Sequence, residues 1–149
     1  MKPELYAPYH QVYGRFSTVK LFSIFLTFCQ KIQQHAPKST TKITDVGAGT
    51  GLFTSLLAQR FNDAKTSLIE PSIYIMPYAK TKLATEQIHF YQFSIEDSLE
   101  LVPCQNIFIF QRSLYALSAN FDYFKELADQ LSFKISENGI VGIFEIGQL

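Results

Sequence analysis

Tryptophan is absent from this chain, cysteine occurs twice, histidine three times, and neither sign of charge prevails. Cys29 and Cys104 stand 75 positions apart and form no CxxC pair and no metal-ligand spacing. That excludes a zinc ribbon or a disulfide framework and makes a reduced, cytoplasmic setting the default. Thirteen basic residues cancel thirteen acidic ones, which argues against a nucleic-acid partner or any general polyanion binding. No apolar run approaches the roughly 20 residues that a bilayer-spanning helix needs. The most apolar stretch, Val19–Cys29, is interrupted by Lys20, Ser23 and Thr27. No small-residue cleavage site follows it, so it reads as an amphipathic helix and not as a signal peptide or membrane span. What is plentiful is apolar side chain: 47% of the 149 residues, against 17% charged. That excludes disorder and provides for one domain with a core of its own. Fourteen phenylalanines and eight tyrosines make that core rich in flat rings.

The neutral total is unevenly spread. Residues 1–42 carry six basic side chains against Glu4 alone, and residues 43–149 carry seven against twelve acidic ones. Ordinary solvated faces explain this, and so does a basic N-terminal lid held over an acidic domain. The start of the chain is tyrosine-rich (Tyr6, Tyr9, Tyr13, with Pro3, Pro8 and Gly14 between). A turn and short helix are predicted there, then the amphipathic helix to about His35, ended by Pro37. Residues 1–39 are therefore expected to form a helical cap on a core of residues 40–149. Strands are predicted at Lys42–Val46, Lys65–Glu70, Ile88–Phe93, Asn106–Phe110 and Gly139–Ile146, the last following a Glu137-Asn138-Gly139 turn. Helices are predicted at Gly51–Phe61, Ser72–Ala84 (weakened at Pro77) and Phe121–Ile135, with a turn or short helix at Glu96–Leu101. This alternation implies an α/β fold, a parallel sheet covered on both faces. The continuous run Ile107-Phe108-Ile109-Phe110 suits a doubly covered strand.

One stretch carries chemistry: Asp45-Val46-Gly47-Ala48-Gly49-Thr50-Gly51. A strand ends, a glycine-rich turn follows, and a helix opens. Such a turn lets a ligand lie against bare main chain and turns N–H groups toward a carboxylate or phosphate. A nucleoside-triphosphate loop needs Lys then Ser/Thr after its last glycine, where Leu52 and Phe53 stand. A dinucleotide fingerprint wants G-x-G-x-x-G, whereas the third glycine here is one place early, at Gly51. Asp45 precedes the first glycine by two residues. It can accept from an ammonium group or organise the N–H groups of the turn. A cationic amino-acid ligand explains an acid there better than a pyrophosphate, which it would repel.

These residues resemble the first motif of the class I S-adenosylmethionine-dependent methyltransferases. The resemblance continues in order over about residues 40–146. Leu68-Ile69-Glu70-Pro71-Ser72 is similar to the end of that family's second strand, and Glu70 lies 19 residues past Gly51. The resemblance implies that Glu70 takes both ribose hydroxyls. An NAD site would also place an acid there, and an acid at a helix start is a further explanation. Phe93-Ser94-Ile95-Glu96-Asp97-Ser98-Leu99 resembles the segment that reads the adenine edge, with Ser94 in place of the usual acid and Ile95 in place of a small residue. The Ile95 N–H is still suited to that task, and Glu96 and Asp97 serve equally as helix caps. Asn106–Leu117 resembles the fourth strand and its loop, with Gln111 and Arg112 at the crevice and Tyr115 where relatives often carry histidine. A buried ring explains Tyr115 without catalysis. Residues 5–35 resemble the family's capping helices, which implies contacts from Tyr9, Tyr13 and Arg15.

The resemblance implies a Rossmann-like doubly wound sheet of order 3-2-1-4-5. It implies a cofactor, S-adenosyl-L-methionine, held by Asp45, Gly47, Ala48, Gly49, Gly51, Glu70, Pro71, Ser94, Ile95, Glu96, Gln111 and Arg112. It also implies in-line methyl transfer to a small molecule or a partner protein. Alignment supplies much of such a reaction's barrier reduction. A hydroxyl acceptor would need a general base, for which His10 or Tyr115 can be proposed. No catalytic residue is assigned. Two other classes stay open: a cofactor-binding module without turnover of its own, and a nicotinamide-dependent oxidoreductase domain, which the displaced glycine disfavours. The family sheet normally ends in two more strands beside the fifth, and this sequence stops as the fifth finishes. The expectation is therefore a fold lacking its last two strands, with an edge of Ile140, Val141, Ile143, Phe144 and Ile146 open to pairing with a second copy.

Overall fold

The computed structural model describes residues 23–84, 87–111 and 121–144. The described residues begin with a helix over 23–35, α1. The chain then alternates: β1 Lys42–Val46, α2 Leu52–Arg60, β2 Lys65–Ile69, α3 Met76–Lys82, β3 Ile88–Tyr91, α4 Ile95–Leu101, β4 Gln105–Gln111, α5 Phe121–Ser132 and β5 Ile135–Phe144. The five strands form one parallel sheet of order β3-β2-β1-β4-β5. The alternation and the order are those expected. Among the described residues no helix is long and apolar enough to cross a membrane.

The period-2 alternation of strand side chains sends successive residues to opposite faces of the sheet. On one face Ile43, Ile107 and Ile109 pack against Phe25, Cys29 and Ile32 of α1 and Phe53 and Leu57 of α2. Phe25, Cys29 and Ile32 recur at helical spacing, so one stripe of α1 faces the sheet. Phe25 lies 4.0 Å from Phe53 and 6.2 Å from Phe144, centroid to centroid. The abundant rings therefore clasp α1 to the sheet. Its approach is close: a Cβ on Gly142 of β5 would sit 2.5 Å from Ile32 Cδ1. On the same face Met76, Ala79 and Leu83 of α3 pack with Leu68 and Ile88. On the opposite face Val46, Ile69, Phe108 and Phe110 pack with Ile95, Leu99, Leu127 and Leu131 of α4 and α5. Both faces are thus covered, as right-handed crossovers running outward from β1 in both directions require.

Several boundaries differ from expectation, among them the end of α5, at Ser132 and not at Ile135, the residue that opens β5. Helix α3 begins at Met76, not at Ser72. Pro77 lies in its first turn, where a missing N–H costs nothing, so the proline starts the helix and does not interrupt it. Strand β3 ends at Tyr91, two residues before Phe93, because its last partner on β2 is Ile69. Strand β5 starts at Ile135, before the predicted turn. The segment Glu137-Asn138-Gly139 is a bulge within it: Gln105 pairs with Ile135 and Ile107 with Ile140. Asn138 takes a left-handed φ of 60°, which asparagine tolerates. Asn106 braces the bulge. Its Oδ1 accepts from the N–H groups of Thr41 (2.8 Å) and Lys42 (3.0 Å), and its Nδ2 donates to Ser136 Oγ (3.0 Å). Residues Glu145 and Ile146 of the predicted strand lie outside the described residues.

Candidate functional site

The strand order reverses between β1 and β4, and a crevice at the carboxyl ends of open parallel strands forms at such a point. The glycine turn sits there. Gly47, Gly49 and Gly51 have φ of 67°, 59° and 76°, a region that L side chains rarely occupy. The turn is tied to its neighbour strand: the N–H groups of Gly47 and Ala48 donate to Ile69 O at 2.9 and 3.2 Å. Gly51 is the N-cap of α2, and no side chain caps that helix end. Its first N–H groups therefore receive no capping side chain from Gly51, and they form the positive end of the helix dipole. Leu83 packs closely over Gly51: a Cβ there would lie 2.3 Å from Leu83 Cδ1, so that side chain would have to shift.

Glu70 follows the last residue of β2 and is 6% exposed. Its Oε2 accepts from Gly49 N–H at 3.0 Å and its Oε1 from Ser72 N–H at 2.9 Å. The carboxylate thereby bridges the glycine turn and the start of the loop to α3. Burial pushes its carboxyl above the usual value, and the two backbone N–H groups oppose that push.

Asp45 stands lower. It is fully buried, and its Oδ2 accepts from Thr54 Oγ1 at 2.7 Å. Thr54 belongs to α2, so the pair pins that helix to β1 beneath the turn. Asp45 thus supports the floor of the crevice and does not stand open within it, because side chains at this register point into the layer between sheet and α2.

The segment after β3 is built as a helix cap. Ser94 Oγ accepts from Asp97 N–H at 3.2 Å and donates to Asp97 Oδ2 at 3.0 Å. Ile95 is buried in the core below. Glu96 accepts the hydroxyl of Tyr123, which joins α4 to α5. Burial alone would raise the Glu96 carboxyl. The Tyr123 hydroxyl leads the hydrogen bonds that outweigh it and hold the group below its usual range. Pro71 is exposed beside Glu70. Gln111 ends β4, paired with Phe144. Arg112, Tyr115, Tyr9, His10, Tyr13 and Arg15 lie outside the described residues. The structure therefore gathers Gly47, Ala48, Gly49, Gly51 and Glu70 at one place, with Asp45 beneath. Two residues the sequence reading passed over belong to the same framework, Thr54 and Tyr123. Each is a hydroxyl on an apolar helix face, and its partner is an acid on another element, nine residues back for Thr54 and 27 for Tyr123. Among the described residues no group of three or more His, Cys, Asp or Glu is placed to hold a metal ion.

Solved structures with this arrangement are numerous. The fold is that of the class I S-adenosylmethionine-dependent methyltransferases. A sugar N-methyltransferase from Streptoalloteichus, KedS8, superposes with a TM-score of 0.68 at 16% identity, over 82% of this chain and 47% of that one. The plantazolicin methyltransferase BpumL, in complex with a monoazolic desmethylPZN analog and SAH, gives 0.67 at 19%, over 89% and 48%. A putative caffeoyl-CoA O-methyltransferase from Staphylococcus aureus gives 0.66 at 16%, over 93% and 70%. The chain thus spans about half the length of the first two. No family model matches the sequence, and neither does any curated protein.

Proposed function

We propose that the methyltransferase-fold chain binds S-adenosyl-L-methionine and serves methyl transfer to a small molecule. The observation that carries this reading is the bracket formed by Gly49 N–H and the Glu70 carboxylate at the mouth of the crevice. A carboxylate has about four acceptor sites. Backbone N–H groups use two of Glu70's, and two remain for a vicinal pair of ribose hydroxyls. Gly47, Ala48, Gly49 and Gly51 would carry the amino-acid end of the cofactor, which their bare main chain admits. Pro71, Ser94, Ile95, Glu96, Gln111 and Arg112 would complete the adenosyl side and the mouth. When bound, the cofactor supplies a methyl group activated by its sulfonium, and the sulfur leaves as a neutral thioether with the bonding pair. The chain's own work is to orient and to exclude water. The named methyltransferases that share the fold, a sugar N-methyltransferase and a plantazolicin methyltransferase among them, support a small acceptor over a macromolecular one.

A second reading rests on length. The chain spans 47% of the sugar N-methyltransferase, so it also fits a cofactor-binding module whose acceptor lobe comes from elsewhere. Two free cysteines, Cys29 buried and Cys104 exposed, support a reducing, cytoplasmic setting. Exposed Val141 and Ile143 on edge strand β5 support pairing with a second copy. Calorimetric titration with S-adenosylmethionine, S-adenosylhomocysteine and NAD tests the main reading. Binding of NAD alone would overturn it. Tight binding of the sulfur ligands with no methylated acceptor would favour the module.

A further inference from the structure

Among the described residues β5 is an outer strand of the sheet, and its two faces differ. Gly142 lies under α1, against Ile32 and Phe28. Its neighbours in the strand turn to the opposite face, where Val141 is 42% and Ile143 56% exposed. Their partners on β4, Phe108 and Phe110, are buried under Leu127 and Leu131 of α5. The helical cover on that face therefore stops short of β5. The strand edge beside it is unguarded as well. Natural edges carry a lysine, a proline or a bulge, or are very short. The bulge at residues 137–139 protects one half of β5, whereas residues 140–144 hold no charge and no proline. The opposite edge, β3, has only four residues.

Helix α5 carries the same surface onward. Its Tyr123 donates to Glu96 of α4, and Lys134, just past the helix, donates to Val102 O at the end of α4. Those contacts fix the side of α5 turned to α4, and Leu127 and Leu131 fix the side turned to the sheet. At 3.6 residues per turn the remaining flank, over β5, holds Phe124, Ala128 and Phe121. Phe121 is 81% exposed, and Ala128 is exposed too. The heights match as well. Gln105 N–H donates to Lys134 O at 2.7 Å, which sets residue 134 level with the start of β4. Seven residues back along α5, Leu127 stands about 10 Å higher. Phe108, three residues up β4, stands about 10 Å higher too, and its partner on β5 is Val141.

We propose that this face binds a second copy of the chain, with β5 antiparallel to its copy and the two α5 helices packed across the same two-fold axis. This rests on the pairing through β5 proposed above and brings α5 into the interface. An axis through Val141, normal to the sheet, joins two five-stranded sheets into one. Each α5 rides over its own β4–β5 pair, so the helices lie two strand spacings apart, about 10 Å. Sheet twist over two strands crosses them at about −40 to −50°. Helices pack at about 8–10 Å, most often near −50°. The axis passes beside Leu127, level with Val141. Lys125 and Asp129 are equidistant from Leu127, so Lys125 of each copy meets Asp129 of the other. Ala128, next to the axis, lets the backbones approach. The face thus complements itself in shape and in charge, which a two-fold interface requires. The carboxyl ends of the two sheets point opposite ways, so neither glycine turn is covered.

Sedimentation velocity at about 0.1 mM chain tests this, against an expected dissociation constant on the order of 10 μM. The parent should sediment as a dimer. Val141→Lys, which puts a charge on the edge, should weaken the dimer at least about hundredfold. Lys125→Asp should weaken it about tenfold, and adding Asp129→Lys to that variant should restore it. In a Cys104→Ser background a short bis-maleimide should join Ala128→Cys chains in pairs. Glu126→Cys, on the far side of α5, should stay single. A monomeric parent would overturn this proposal and the β5 pairing together. A dimer lost in Val141→Lys but indifferent to Lys125→Asp, with no crosslink through Ala128→Cys, would overturn the helix contact and leave the strand pairing. A dimer that survives Val141→Lys would place the interface elsewhere and overturn both. None of these readouts involves the cofactor, so the methyltransferase reading is tested apart from them.

Discussion

Replacing Glu70 with glutamine separates a ribose-binding acid from one that only shapes its loop. The carboxylate accepts from Gly49 N–H at 3.0 Å and Ser72 N–H at 2.9 Å, one on each oxygen. Glutamine keeps one oxygen and presents an amide that donates. Whichever way the amide turns, one backbone N–H meets a donor and one of the two ribose hydroxyls loses its acceptor. A hydrogen bond to a charged group contributes about 1.5–3 kcal/mol, so the lost hydroxyl contact weakens S-adenosylhomocysteine binding roughly 10- to 150-fold. The orphaned N–H costs about 1–3 kcal/mol of stability. Relief from burying a charge offsets part of that, so the melting temperature should fall by only a few degrees. Calorimetric titration and a thermal melt read the two effects separately. A 2′,3′-dideoxy analogue closes the cycle: it should bind the parent about as weakly as it binds Glu70→Gln. Affinity within twofold of the parent, or a parent that does not distinguish the dideoxy analogue, would refute the reasoning.

The acid limb follows from the same group. Burial lifts Glu70 above its ordinary value of 4.5, so the stability it contributes is fully present below about 4.5 and is lost as pH rises through the raised value. Cofactor binding runs the opposite way, strengthening as the carboxylate forms, and Glu70→Gln should flatten both profiles. Glu96 has the reverse sign: held below 4.5, it contributes stability above that value that is lost as pH falls through the lowered one. Tyr123→Phe should therefore reduce the loss of stability seen on acidification in urea melts. Gly51→Ala forces a left-handed φ on alanine at about 1–2 kcal/mol and obliges Leu83, whose Cδ1 would lie 2.3 Å from the new Cβ, to shift its side chain. Its denaturation midpoint should drop accordingly, and the effect should be less than additive with Leu83→Ala. Cys29 is fully buried and its thiol is pushed up to about 11 by burial. At pH 8 iodoacetamide should modify exposed Cys104 and leave Cys29 untouched, as peptide mass spectrometry would show.

Local sequence determines a good deal of this protein. Alternating apolar runs and amphipathic segments marked the five strands, and the glycine turn announced itself because only glycine accepts three positive φ values in five residues. Polar Ser23 and Thr27 marked the helix as amphipathic, and the structure turns Phe25, Cys29 and Ile32 of α1 to the sheet. Tertiary structure decided the rest, because the deciding contacts join residues distant in the chain. Residues 137–139 look like a turn by composition, yet Asn106, some thirty positions earlier, pairs with Ser136 and holds them as a bulge inside β5. Asp45 and Glu70 are both acids beside the motif, and no local pattern ranks them. Register turns Asp45 inward to Thr54 of α2 and sets Glu70 at the rim on Gly49. The paired Lys42 and Lys65 emerge only once β1 and β2 are laid side by side. Composition and period determine what each segment must bury. Pairing across the sheet determines which polar groups are left facing a ligand.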